Sequence, residues 1–342
     1  SIKRKNLNFE QINKLLSDLK DNGIDQNAFT ELILGLPNET KDSHLNGNKK
    51  LIDFGFEVNT YFLHLLPGTE MDEKSYRQKY FKKTVYRLFD NSFGIYRGNK
   101  IFEAQETVSE THSMPHKYFK YFRFFHFLMQ MMWSKKWYYY FLIFLKNTKN
   151  IHPVDFISDL VDEIETTKKP INRLYLEFMS DYEEAENFST HEDLRKYWAR
   201  AENFKRLETG DYGKLNMLYT YKVILNFKEE FSDILFDVVK NKFYHASNTS
   251  EDEDFINKTQ QVLKFQNLKF LSFNSSSNIK KNIKASFEYN FLEWIKNNCK
   301  SLKASGNNKD YLFYLTKEKE DILNNQLKNN KSSNLNSKFS LN

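Results

Sequence analysis

The chain has 342 residues and a formal net charge of +6, a length sufficient for two or three folding units with buried cores. Its 32 phenylalanines and 20 tyrosines exclude disorder throughout the chain, and the mild charge without basic blocks indicates no nucleic-acid partner. The single cysteine, Cys299, excludes a disulfide framework and any cysteine-ligated cluster or zinc site built from this chain alone.

The first elements predict a βαβ unit. Residues 29–34 are a short apolar run ended by Gly35, which is typical of a buried parallel strand. Residues 41–54 predict a helix, and residues 58–66 predict a second buried strand that Pro67 closes. Two strands joined by a helix form a parallel, right-handed unit in nearly all known cases.

Helices are predicted to predominate beyond residue 75. The stretch 76–112 is strand-capable around 84–88 and 100–108, and the aromatic stretch 114–146 predicts two helices broken near 133–136. Apolar periodicity predicts further helices at 7–21, 153–166, 169–186, 190–207 and 213–242. A polar loop is predicted at 246–254, and a strand-plus-helix pair at 281–298 and 310–328.

We expect no membrane-spanning segment. The longest apolar run, residues 137–145, falls well short of the roughly 20 residues that span a bilayer. The N-terminal SIKRKN has no secretory signal, and the chain does not begin with Met. We therefore expect a soluble, cytoplasmic protein of which this chain is an interior part.

The sharpest local feature is the strand end Gly35-Leu36-Pro37-Asn38-Glu39-Thr40. Ligands bind outside the carboxyl ends of parallel strands, and a glycine there lets a ligand approach the backbone. Alternation along the strand places Glu31 and Ile33 on the same face as Gly35. The structural alternative is a plain tight turn in which Glu39 is a first-turn helix acid.

A second strand end, Leu65-Leu66-Pro67-Gly68-Thr69-Glu70, has the same setting, although a plain turn is the commoner explanation. His64 precedes it between leucines and is interpreted as a core or pocket-lining residue. Three histidines, His112, His116 and His126, are the remaining candidates for metal ligands. Pro115 places a helix start between the first two, so we predict no metal site there. Arg123 and the Trp133/Trp137 stripe are interpreted as packing.

These motifs resemble the second half of a radical S-adenosylmethionine (SAM) domain, of the type that carries an N-terminal cobalamin-binding domain. The residues that carry the resemblance are Lys3–Asn6, Glu31–Thr40 and Leu65–Glu70, followed by Ile101–Glu106, Ser109–Met114 and Tyr118–Met132. The resemblance implies an α/β fold: the C-terminal part of a partial (β/α)₆ barrel over residues 1–75, then a mixed and helical segment at 76–210 and a helical C-terminal region at 211–342.

The resemblance also implies cofactors and roles. SAM and a 4Fe–4S cluster are expected, with cobalamin where the N-terminal domain is present. The residues implied to bind SAM are Arg4, Ile33, Gly35, Leu36, Pro37, Glu39, Leu66 and Pro67. Glu31 and His64 are implied to face a substrate, which would be a small molecule or a biosynthetic intermediate.

One departure from the family is decisive. The Cys-x₃-Cys-x₂-Cys motif that holds the cluster is missing from this sequence. We therefore expect a C-terminal fragment of an enzyme whose cluster ligands lie upstream, inactive alone. Loss of the activity is the other explanation of the missing motif. The alternative function is a non-catalytic helical binding module with a vestigial βαβ unit.

Overall fold

The computed structural model describes residues 29–209, 212, 214–243, 250–269 and 282–314, together with three isolated helical residues, Gln11, Lys14 and Asp18. Apart from these three, the helix predicted at 7–21 lies outside the described residues, as does Arg4.

The predicted βαβ unit is confirmed. Strand β1 (Phe29–Leu34), helix α1 (Lys41–Asp53) and strand β2 (Glu57–Phe62) follow one another, and the strands are parallel with Ile33 beside Tyr61. β2 ends four residues earlier than predicted, because the next residues turn to a different partner. The Leu65 N–H donates to the Glu106 carbonyl (2.9 Å), and the Val108 N–H donates to the Leu63 carbonyl (2.9 Å).

Helix α1 has well-defined ends. The hydroxyl of Thr40 accepts from the Ser43 N–H (3.1 Å), and the Ser43 hydroxyl accepts from the Thr40 N–H (2.8 Å), a reciprocal N-terminal cap. Gly55 ends the helix with a φ of 80°, as the sequence predicts. Within the helix, Gly47 faces the Leu32 side chain of β1, so α1 covers one face of the sheet.

A long β-hairpin follows the short helix α2 (Lys74–Tyr80). Strands β3 (Phe81–Tyr96) and β4 (Asn99–Thr111) form a two-stranded sheet. The connecting residues Arg97 and Gly98 both have positive φ, 49° and 79°, which matches the twist of a two-residue hairpin turn. Both strand-capable stretches of the sequence lie in this hairpin.

The aromatic stretch forms two helices, as predicted. α3 (His116–Met129) begins directly after Pro115, passes into a π-helical segment (Gln130–Ser134), and is followed by α4 (Tyr139–Lys149). The remaining described helices before residue 282 are α5 (Pro153–Thr166), α6 (Asn172–Ala185), α7 (His191–Ala199), α8 (Ala201–Thr209), α9 (Leu215–Asn226), α10 (Lys228–Val238) with a π-helical extension (Val239–Phe243), and α11 (Ser250–Leu268).

Three predictions about these later elements were wrong in part. The helices predicted at 190–207 and 213–242 are each two helices, interrupted at Arg200 and at Phe227. The polar loop predicted at 246–254 is helical from Ser250 onward, where acidic residues occupy the first turn of α11; residues 246–249 lie outside the described residues.

The C-terminal elements are β5 (Asn282–Tyr289), α12 (Phe291–Lys296) and β6 (Ala304–Tyr314), with the strands antiparallel. The predicted strand-plus-helix pair is confirmed at 281–298, where α12 follows β5. Residues 310–314 belong to β6, and residues 315–328 lie outside the described part of the chain, so a helix there stays a prediction.

The chain divides into two compact units. The first extends to Thr84 and takes up Glu106–Lys120, and the second comprises Val85–Gln105 and Tyr121–Asn342. The predicted boundaries at 75 and 210 differ from this division; they rest on the family resemblance and stay a prediction.

The class is therefore mixed α/β, as expected. The sheets of the described residues are two-stranded, and these residues form no closed barrel. The partial barrel stays a prediction. None of the helices in the described ranges is both long and apolar enough to cross a membrane.

Candidate site at two strand-end turns

The turn after β1 is organised by a carboxylate. Gly35 has a φ of 96°, and its N–H donates to Glu39 Oε2 (2.7 Å), which also accepts from the Leu36 N–H (3.2 Å). The other oxygen of Glu39 lies 2.7 Å from Nδ1 of His44, a buried residue of α1. Two backbone donors of the predicted ligand site are thus held by a side chain of the same turn.

This geometry gives Gly35 and Glu39 structural roles. A Cβ at Gly35 would lie 3.0 Å from the ring of Phe119, and a positive φ disfavours any side chain there. Because Thr40 caps α1, Glu39 precedes the helix and its carboxylate reaches back to the turn. These contacts support the structural alternative of a tight turn. They differ from it in one respect, because Glu39 lies before the helix and is not an acid of its first turn.

The turn beyond β2 has a similar arrangement. Gly68 has a φ of 82°, and its N–H donates to Asp72 Oδ2 (3.0 Å). The Thr69 N–H and hydroxyl both donate to the Leu66 carbonyl (3.2 and 2.8 Å). The side chains of Leu66 and Pro67 are exposed, Leu66 by 62%, so this turn presents apolar surface to solvent.

A charged network supports the second turn. Arg77 donates to Asp72 Oδ1 through Nη2 (2.6 Å) and to both carboxylate oxygens of Glu106 (2.7 Å each). The Thr84 hydroxyl donates to the same Glu106 carboxylate (2.6 Å). The hydrogen bonds from Arg77 lower the pKa of both carboxyls below their usual range, assisted by the Gly68 N–H at Asp72 and outweighing the opposite effect of burial at Glu106.

The sheet face opposite α1 carries the predicted ligand-facing residues. Glu31 and Ile33 lie beside Asn59 and Tyr61 on this face. Ile33 and Tyr61 are 37% and 44% exposed, whereas parallel sheets are usually covered on both faces. An open face with apolar, aromatic and carboxylate groups can accept a flat or mixed-polarity ligand.

His64 directly precedes the second turn along the chain. Its Nδ1 is 3.1 Å from the Thr107 hydroxyl of β4, and the residue is half-buried. Its assignment as substrate-facing stays a prediction, as do the ligand roles of Glu31, Ile33, Gly35, Leu36, Pro37, Glu39, Leu66 and Pro67.

The other histidines do not gather into a metal site. His112 Nε2 lies 3.3 Å from the Gln78 carbonyl and His116 Nδ1 lies 2.9 Å from the Ser109 carbonyl, while His126 stacks on Phe122. Within the part of the chain that the structure describes, no three His, Cys, Asp or Glu side chains are grouped to hold a metal ion.

The chain's own residues do not fit an iron–sulfur cluster. Three thiolates are needed to ligate three irons, and Cys299 is the one cysteine of the sequence. Burial raises the pKa of its thiol to about 11, which disfavours the thiolate that binds iron.

Sequence reasoning missed the polar role of Arg123 in the second unit. Arg123 makes a two-pronged pair with Glu186 (Nε–Oε2 3.0 Å, Nη2–Oε1 2.9 Å), and its Nη1 donates to Asn216 (2.5 Å). Burial favours the neutral forms, but the ion pair outweighs it, raising the pKa of Arg123 and lowering that of Glu186. The sequence offered one signal of this ion pair, a single arginine within the aromatic run YFRFFHF, because a buried arginine requires an acidic or polar partner.

Comparison with known proteins gives one curated relative. The chain is 28% identical over 188 residues to the cobalamin-dependent radical SAM methyltransferase TokK of Streptomyces tokunonensis. The alignment covers 53% of this chain and 27% of TokK, so the chain spans about a quarter of the relative's length. No family model matches the chain. The similarity supports a relationship with cobalamin-type radical SAM proteins at that general level.

Proposed function

We propose that this chain is the C-terminal part of a radical SAM enzyme of the cobalamin-dependent type. The observation that carries the proposal is a pair of neighbouring parallel strands, each followed along the chain by a glycine turn beyond its carboxyl end, in a chain similar to a radical SAM methyltransferase. Parallel sheets bind ligands at the carboxyl ends of their strands, which is where both turns lie.

The proposed SAM site uses the edge and the open face of this sheet. Ile33 and Leu36 from the first turn, and Leu66 and Pro67 from the second, would supply apolar contacts to the adenosine. The guanidinium of Arg4 suits the SAM carboxylate. Glu31 would face a small-molecule substrate.

His64 would face the same substrate, while Gly35, Pro37 and Glu39 would set the backbone of the first turn. The 4Fe–4S cluster and cobalamin would be held by residues outside this chain. Bound to such a cluster, SAM is the source of a 5′-deoxyadenosyl radical for methylation or rearrangement.

A non-catalytic binding module is the second candidate. The observation that favours it is the lack of cluster-ligating cysteines, which leaves a helical unit with a buried aromatic core and no redox chemistry of its own. Such a module would bind neither SAM nor iron, in any form of the protein.

Calorimetric titration of SAM into the complete, anaerobically reconstituted gene product tests the proposal. Ile33→Glu places a charge on the open sheet face and is expected to weaken SAM binding at least about tenfold, since an unpaired charge must be desolvated. Leu176→Glu alters a side chain of α6 that is 58% exposed and is the matched control, expected to leave SAM binding unchanged.

Equal SAM affinity of the Ile33→Glu variant and the wild type would contradict the placement of SAM on this face. Absence of SAM binding by the wild type would favour the binding module.

A further inference from the structure

Both strand-end turns are held by residues at the same spacing. In each, the N–H of a positive-φ glycine donates to a carboxylate four residues later: Gly35 to Glu39, and Gly68 to Asp72. Each carboxylate also contacts a nitrogen-bearing side chain five residues further on: Glu39 contacts His44, and Asp72 contacts Arg77.

In the first turn this side chain is His44, whose Nδ1 lies 2.7 Å from Glu39 Oε1. His44 belongs to α1 and lies on the buried face of that helix, being 1% exposed. The first turn is thus fastened to its own helix and to the interior of the unit.

In the second turn this side chain is Arg77, whose guanidinium links the turn to the hairpin. Arg77 binds Asp72 and also both oxygens of Glu106, whose backbone carbonyl accepts the Leu65 N–H. The segment from Leu65 to Asp72 is thereby closed into a ring of hydrogen bonds that begins and ends at Glu106.

This ring stabilises an exposed turn and not a core. Leu66, Pro67, Gly68 and Thr69 are all exposed, while Arg77 is about one-third exposed and commits its guanidinium to the turn and the hairpin. Fixing an exposed backbone costs conformational entropy. A turn that is already ordered offsets this cost when a ligand binds, because the ligand then does not have to order the backbone itself.

We propose that Arg77 is a positioning residue for the second turn, holding Leu66 and Pro67 in place for the adenosine of SAM. The inference rests on the proposed function. Arg77 does not itself contact the ligand; it acts through Asp72.

Hydrogen exchange on this chain tests the positioning step without any ligand. Arg77→Gln removes the positive charge and the paired N–H donors of the guanidinium. Amide exchange at Gly68 and Thr69 is expected to become at least about tenfold faster, because a hydrogen bond to a charged group is lost. Arg77→Lys keeps the charge without the paired donors and should give an intermediate rate. Exchange at Gly35, in the first turn, should not change.

SAM affinity of the complete gene product tests the functional step. Arg77→Gln should raise the dissociation constant for SAM about tenfold at unchanged cluster content, and Arg77→Lys should recover part of that loss. Arg195→Gln is the matched control: Arg195 is exposed and its contact with Glu192 is long, at 3.8 Å. That variant should change neither exchange nor affinity.

Two results would overturn the inference. Unchanged exchange at Gly68 in Arg77→Gln would show that the ring does not hold the turn. Accelerated exchange with unaltered SAM affinity would show that the turn is not part of the site. Failure of the wild type to bind SAM would instead reject the proposed function and, with it, the ligand role of Arg77, whatever the exchange rates show.

Discussion

Replacing two glycines of the same βαβ unit by alanine should change its stability in opposite directions. Alanine at Gly35 must adopt a φ near 96°, and left-handed backbone costs an L-residue about 1–2 kcal/mol. Its Cβ would also lie 3.0 and 3.1 Å from two ring carbons of Phe119, and overpacking of this kind costs about 1–3 kcal/mol. Together these effects predict a destabilisation of about 2–5 kcal/mol.

Gly47 is the matched control within α1. A Cβ there would meet Leu32 at 3.8 Å, an ordinary van der Waals distance, and the helix gains about 0.5–1 kcal/mol when glycine is replaced by alanine. The Gly47→Ala variant should therefore be more stable than the wild type.

The assay must report on the first unit specifically. All four tryptophans lie beyond residue 121, in the second unit, so tryptophan fluorescence does not follow the βαβ unit. Exchange of the β2 amides at increasing urea concentration measures the stability of the first unit, and fluorescence on the same samples should show the second unit unchanged.

Adding Phe119→Leu to Gly35→Ala should relieve the steric part of the loss and leave the backbone part. A Gly35→Ala variant as stable as the Gly47→Ala variant would refute the explanation of Gly35 by φ and by the Phe119 ring.

Three further predictions concern charge and metal. Arg123→Met leaves Glu186 buried without its partner and should cost about 3–5 kcal/mol in urea unfolding followed by tryptophan fluorescence; a loss below about 1 kcal/mol would show that the pair is not desolvated. The pKa values of Asp72 and Glu106 are lowered in the folded state. The stability that these two carboxylates contribute is therefore present above their unfolded-state pKa values, and it is lost as the pH falls through their folded-state pKa values. The stability difference between wild type and Arg77→Gln, measured by exchange of the β2 amides in urea, should therefore shrink as pH falls below about 4, whereas a difference independent of pH would contradict the ion pairs. Anaerobic reconstitution of this chain with iron and sulfide should give no stoichiometric cluster absorbance, because three thiolate ligands are required; a full 4Fe–4S complement would contradict this.

The sequence was informative where structure is set locally. The apolar runs, Gly35, Gly55 and Pro115 correctly predicted the parallel strands, the end of α1 and the start of α3, since turn and cap residues act over a few positions. The early end of β2 was not predictable, because it depends on pairing with residues more than 40 positions away.

The polar networks of the molecule were missed for the same physical reason. The carboxylate of Glu39, a residue that the resemblance implies to bind SAM, accepts hydrogen bonds from its own turn, and these bonds were not foreseen. Arg77 and Glu106 are 29 residues apart and Arg123 and Glu186 are 63 apart, and single-sequence patterns carry little information on such pairs. The constant spacing from glycine to carboxylate to His44 or Arg77 is visible in the sequence, but its meaning depends on the structure.

Reductive cleavage of SAM is the most direct test of the proposed function. The complete gene product, reconstituted anaerobically and supplied with a low-potential reductant, should form 5′-deoxyadenosine from SAM at a rate that depends on the reductant and on cluster content. A reconstituted protein that binds a full cluster and SAM but forms no 5′-deoxyadenosine, or one that holds no cluster in any form of the gene product, would contradict the assignment to the radical SAM enzymes.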